Sequence, residues 1–249
     1  MALLGSQDVQ IGNSNFVSTA APGQYELGTR GYTRDGRAFR YVLCGATTLV
    51  AGEVIQSPAF LTSSIVLAVN TTSGVGLGAT VISVTGVSTI AAGFYNDGYL
   101  MVSSSAGAGL VYQIKSHPAV STGATGAFTL YDEDGLAVAI TTTSTITLCP
   151  NKYNGVVQMP VTTATGTVVG VAPYAIAATQ YGWIQTWGPC AVKGSDSGAL
   201  GAPAGAISTS AGRASTFTAA TLLTMQAIGV WMMADVEARW VMVDLRIAP

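Results

Sequence analysis

His117, in QIKSHPAV, is the only histidine in the chain, so any Ser–His–acid relay has to pass through it. Its neighbours give it little to work with. Lys115 and Ser116 do not make a relay by themselves, Pro118 biases the histidine toward extended backbone, and no serine lies in the GxSxG turn that presents a hydrolase nucleophile. Zinc meets the same shortage, because one histidine and three scattered cysteines (Cys44, Cys149 and Cys190) show no CxxC spacing. Odd in number and far apart, the cysteines read as small buried hydrophobes of a chain made in a reducing cytoplasm. Asp132, Glu133 and Asp134, in YDEDGL, are the only acidic cluster. Alternate oxygen ligands before a glycine match the start of a calcium loop, but the later ligands are absent, so a solvated hairpin turn is expected. GVGLGA (74–79) and GAGLVY (107–112) are glycine-rich without the following helix whose N-terminus would meet a phosphate. Spatial pairing among the twelve acidic residues, which a glycosidase would need, is invisible in a sequence. The expectation is therefore no catalytic residue, no cofactor and no metal site.

Two clusters suit binding better. Arg30, Arg34, Arg37 and Arg40 place four of the ten basic residues within eleven positions, with Asp35 the only acid among them. They read either as a solvated hairpin edge, where positive charge discourages stray strand pairing, or as a docking point for an acidic patch, since arginine makes bidentate contacts with carboxylates. The second cluster is YGWIQTWGPCAVKG (181–194), which holds Trp183, Trp187 and Cys190. In an extended strand Tyr181, Trp183, Gln185 and Trp187 share one face, and Gly182, Ile184, Thr186 and Gly188 the other. Cys190 has no neighbouring base to activate it. The stretch is expected to be an aromatic ridge, in the core or at a subunit contact.

Charged residues make up only 9% of the chain, against roughly 25% in an ordinary soluble domain. None occurs between Glu53 and Asp97 or between Lys152 and Lys193. Gly, Ser, Thr and Asn interrupt these stretches well short of a membrane-spanning run. MALLGSQDVQ lacks the basic and apolar regions of a secretory signal, and a net charge of -2 offers no basic face for nucleic acid. So few charges on a chain of positive mean hydropathy read either as a β protein whose Thr-rich faces hydrate adequately or, the favoured reading, as a subunit that buries much of its surface against copies of itself or in a larger assembly.

The elements that must position these residues are strands. RDGR (34–37) is a turn before the strand-forming AFRYVLC, and Asn96, Asp97 and Gly98 punctuate the entry to Tyr99–Val102. Short Val, Ile and Leu runs between Gly, Thr, Asn and Asp turns continue through 63–89 and 107–161. IGVWMMADVEARWVMVDLRI reads as a terminal hairpin, ATLLTMQA (220–227) as a short helix or strand, and 195–217 as a long small-residue loop. The expected fold is all-β: a sandwich or barrel-like head with an extended N-terminal arm and that long loop. The expected divisions are residues 1–24 (arm), 25–172 (β-rich domain) and 173–249 (a C-terminal β segment packed with it).

RDGRAFRYVLCGATTLVAGEVIQSPA, YNDGYLMVSSSAGAGLVYQIKSHPAV, YGWIQTWGPCAVKG and the terminal VMVDLRI, taken in this order, resemble tailed-bacteriophage virion proteins that decorate or cement the capsid. The resemblance covers most of the chain beyond the initial arm. It implies a non-enzymatic, β-rich protein on the capsid surface, made in the bacterial host cytoplasm. It also implies self-association, commonly as a homotrimer with a dimeric clasp as the alternative, and bridging of neighbouring subunits of the major capsid protein. Neither nucleic acid nor membrane is an implied partner. A tail or fibre component and a carbohydrate-binding module are the alternative readings.

Overall fold

The RDGR turn forms where its residues require it. In the computed structural model, β1 (Val9–Gln10) lies parallel to β2 (Arg30–Tyr32), and β2 and β3 (Ala38–Cys44) make an antiparallel hairpin. Gly36 supplies the positive φ of +85° that the turn needs. The structure describes residues 8–20, 24–60, 67–68, 74–86, 88–131, 135–161, 164–195, 198–206, 210–219, 221, 224–234 and 239–249. Asp132, Glu133, Asp134, residues 235–238 of the expected terminal hairpin and part of ATLLTMQA lie outside the described residues.

After β4 (Val54–Gln56) the chain enters a separate compact unit, Phe60–Asn151, then returns to complete the unit formed by Met1–Ala59 and Lys152–Pro249. The inner unit carries β5 (Leu67–Ala68), β6 (Val81–Thr85), β7 (Tyr99–Ser104), β8 (Val111–Ser116), β9 (Thr125–Leu130) and β10 (Thr145–Cys149). They form one antiparallel sheet in the order β5-β10-β7-β8-β9-β6. Alternate residues point inward, including Leu100 and Val102, Tyr112 and Ile114, and Phe128 and Leu130, and they share a single core. The end strands β5 and β6 contact each other, so the sheet curls around that core.

The outer unit resumes with β11 (Asn154–Gln158), β12 (Val168–Val171), β13 (Tyr181–Lys193), β14 (Pro203–Gly205), β15 (Ser215–Thr216), β16 (Ala227–Trp231) and β17 (Trp240–Arg246). Strand β3 pairs with both β11 and β13, β11 with β4, β4 with β12, and β12 with β13. These pairings close a five-stranded barrel. One residue from each strand, Val42, Val156, Ile55, Val169 and Ile184, enters the same core cluster, as a barrel too narrow for a channel requires. The second half of β13 pairs instead with β17, which leads through β16 and β14 to β15. Val241, Val243, Leu245, Ile228 and Trp231 of this extension cluster with Val54, Val168 and Val171 of the barrel strands.

The fold is all-β, and among the described residues the helical content is one 3-10 turn at Asn13–Asn15. Three expectations need correction. The division expected at 172/173 does not match the two units, because β12 and β13 on either side of it pair in one barrel, Val171 opposite Gln185. The long small-residue loop contains β14 and β15, with Ala204, Ala206 and Ala214 buried, since small side chains allow close backbone packing. Cys44 and Cys190 are buried, whereas Cys149 is exposed at the end of β10, opposite the exposed Tyr99.

Candidate functional site

The four arginines separate into two structural and two available groups. Arg30 and Arg40 face each other directly across β2 and β3, an arrangement that costs free energy unless each charge is answered. Arg30 pairs with Asp8 at 2.6 Å. Arg40 donates to the Gly28 carbonyl at 3.2 Å and to the Pro249 carbonyl at 3.0 Å. Both are half-buried, and the Nε of each is buried without a hydrogen-bond partner among the described residues. Arg30 and Arg40 therefore tie the N-terminal segment and residue 249 to the barrel wall.

Arg34 and Arg37 occupy the hairpin tip. Arg37 is held by packing, its guanidinium 5.8 Å from the centre of the Phe39 ring and its Nε donating to Asp35 Oδ2 at 2.8 Å. The other Asp35 oxygen accepts the Thr33 hydroxyl. The Thr33 bond, chiefly, with the Arg37 contacts adding to it, holds the Asp35 carboxyl below its usual range against the opposing effect of burial. Asp35 is thus committed to the turn, while Arg34 is exposed with no ion-pair partner among the described residues. Where β1 and β2 part, a shallow cavity of about 630 Å³ opens between this tip and Gln10, Ile11 and Asn13 of the N-terminal segment.

The aromatic ridge is split by a bulge. Gln185 lies opposite Phe39 and Trp187 opposite Ala38, so Thr186 is an extra residue and the two-residue alternation is interrupted. Before the bulge, Trp183 is only 2% exposed. It packs edge-on against Tyr41 at 5.1 Å and against Tyr25 at 5.3 Å, in a cluster that includes Ile11. Trp183 is therefore a core residue, and sequence could not reveal this because its cover comes from the distant N-terminal segment. At the bulge, the buried Gln185 lies with Nε2 2.9 Å from the Pro189 carbonyl, 3.1 Å from that of Trp187 and 3.3 Å from that of Gly188. Gly188 takes a positive φ of +79° there.

Beyond the bulge, Trp187, Pro189 and Ala191 are exposed and alternate with buried Gly188, Cys190 and Val192. Across the strand pair they stand opposite Arg246, Asp244 and Met242. Trp240 is 54% exposed, and Met232, hydrogen-bonded through its backbone to Met242, continues the open face. Trp240, Met232 and Met242 make an apolar surface at one end of this face, where Lys193, opposite Trp240, pairs with Glu53 at 3.4 Å; Trp187 stands at the other end, opposite Arg246, which pairs with Asp244 at 3.2 Å. Of this face only the aromatic run was legible in the sequence; the methionines were missed, since nothing local marks which strand face stays uncovered.

The chemistry candidates behave differently. His117 is buried, its Nε2 accepting the Tyr95 N–H at 2.9 Å and its Nδ1 donating to the Pro118 carbonyl at 2.8 Å. With both ring nitrogens engaged by backbone, it anchors a turn. Burial pushes its pKa below the usual value, opposed by the Pro118 contact. Burial likewise pushes the Cys190 thiol up to about 12, with Arg37 opposing, so it is no nucleophile at neutral pH. GVGLGA forms a turn, with Val75 bridging Ile140. Among the described residues no group of three or more His, Cys, Asp or Glu side chains is placed to hold a metal ion, and no helix is long and apolar enough to cross a membrane. Comparison with protein-family models, with curated proteins and with solved structures finds no match to this chain.

Proposed function

We propose that the protein is a virion structural subunit, a decoration or cement protein that binds the outer surface of a tailed-phage capsid and bridges its major capsid subunits. The observation that carries this reading is the exposure of Trp240, Met232 and Met242 side by side, with Trp187 also exposed farther along the same face, on a chain with only 9% charged residues. A freely soluble monomer seldom leaves large apolar side chains uncovered side by side, whereas a subunit that associates with its own copies or with a shell covers them on assembly. The motif order that resembles decoration proteins supports the same reading. A lattice of identical sites lets many weak contacts act together. A protein that binds only the assembled shell shifts the equilibrium toward that shell. In this role the chain is non-catalytic, needs no cofactor, and works as a homo-oligomer, a trimer or a dimer.

The test is composition and imaging of purified particles that carry the chain. The expected result is a high copy number on the shell, together with increased heat resistance when the protein is added to shells that lack it. A few copies confined to the tail would assign it to a tail or fibre instead. Absence from particles, or a monomer with no effect on heated shells, would overturn the reading.

A further inference from the structure

The cavity at the hairpin tip brings together polar groups that the fold itself does not use. Arg34 is exposed and unpaired among the described residues, and Arg37, bonded to Asp35 through Nε, makes no hydrogen bond through its terminal nitrogens among the described residues. Gln10 and Asn13, on the opposite wall, are exposed, and their side-chain amides have no partner among the described residues. Ile11 supplies the apolar flank, its own N–H already donated to the Tyr32 carbonyl. The volume of about 630 Å³ lies within the range of sites that hold a few side chains.

We propose that this cavity docks an acidic peptide segment of a partner protein, with Arg34 and the free end of Arg37 gripping a carboxylate while Gln10 and Asn13 bond the peptide backbone. This deepens the reading of the chain as a structural subunit, on which it rests for the kind of partner. The composition of the lining selects the ligand. Two guanidinium groups match the planar, singly charged carboxylate. The Asp35 carboxylate in the same lining disfavours a compact dianion such as phosphate, and two unpaired amides suit a backbone that offers both N–H and C=O. Arg37 is preorganised by Phe39 and Asp35, so little side-chain freedom is lost when it binds.

The experiment is an amide-resolved NMR titration of the full chain with a blocked Glu-rich peptide, its Gln-rich counterpart and inorganic phosphate. Saturable shifts at Gly12, Asn13 and Arg34 are expected with the Glu-rich peptide, weakening as salt is added. Arg34→Gln should lower the affinity about fivefold to tenfold, with Arg34→Lys recovering part of the loss, and the spectrum itself reports whether each variant is folded. Equal response to the Gln-rich peptide, phosphate matching the Glu-rich peptide, or Arg34→Gln binding as tightly as the wild type would each overturn the proposal. The titration is read on the isolated chain, so its failure leaves the virion reading to be judged by particle composition alone.

Discussion

Acidification should loosen the inner unit through His117. The imidazole is 7% exposed, lies 4.8 Å from the Phe128 ring in a stacked geometry, and accepts the Tyr95 N–H on Nε2. Protonation puts a second N–H against that donor and leaves a charge in the core. Stacking on Phe128 returns about 0.5–1 kcal/mol to the cation, less than the roughly 1–3 kcal/mol lost when a buried donor is left unsatisfied, so the neutral form wins. The folded-state pKa therefore lies below the unfolded value near 6.5. Stability from this group is fully present above pH 6.5 and is lost as pH falls toward the folded-state pKa, at up to roughly 1.4 kcal/mol per pH unit. No other histidine contributes to this window. All four tryptophans lie in the outer unit, so tryptophan fluorescence is an internal control while hydrogen exchange of residues 60–151 follows the inner one. Between pH 7.5 and 5.5 protection should fall in the inner unit only. His117→Asn should be less stable at pH 7.5 but nearly flat across the range. Equal pH slopes in wild type and variant, or a loss confined to the outer unit, would refute the reasoning.

Trp183→Ala should destabilise the outer unit by about 3–5 kcal/mol in urea unfolding, as for other buried aromatic truncations. Trp187→Ala should change stability by less than about 1 kcal/mol yet weaken self-association in sedimentation velocity. Gly229→Ala places a Cβ onto the Asp244 carbonyl oxygen between β16 and β17; backbone cannot yield there, so a loss of about 3 kcal/mol or more, or failure to fold, is expected in the same urea assay. With a thiol reagent, Cys149 should react in the native protein, slowly because burial of part of its surroundings raises its pKa. Cys44 and Cys190 should react only on unfolding.

Turns and hairpins were legible because their chemistry is local. Asp97 sits at a positive φ of +59° beside Gly98, as the Asn-Asp-Gly sequence implies, and the terminal hairpin pairs Trp231 with Val243 as its alternation requires. What escaped notice depends on distant partners. Trp183 and Trp187 look equivalent in sequence and differ because Ile11 and Tyr25 cover only the first. The arginines look like one patch, yet Asp8 and Pro249 withdraw two of them. Ala204, Ala206 and Ala214 carry no alternation in side-chain size, so strands β14 and β15 leave little signal.

The nesting of one unit inside the other has a kinetic meaning. Strands β4 and β11 must find each other, Gln56 beside Val157, across a loop of roughly 100 residues. The inner unit is continuous in sequence, and its first and last strands are themselves paired, Leu67 with Ile146. If it folds first, the loop left to close behaves like one of roughly 20 residues, which lowers the entropic barrier to barrel closure by about 1.4 kcal/mol. The inserted segment then acts as an intramolecular clamp during synthesis, emerging and folding before the strands that complete the barrel have been made.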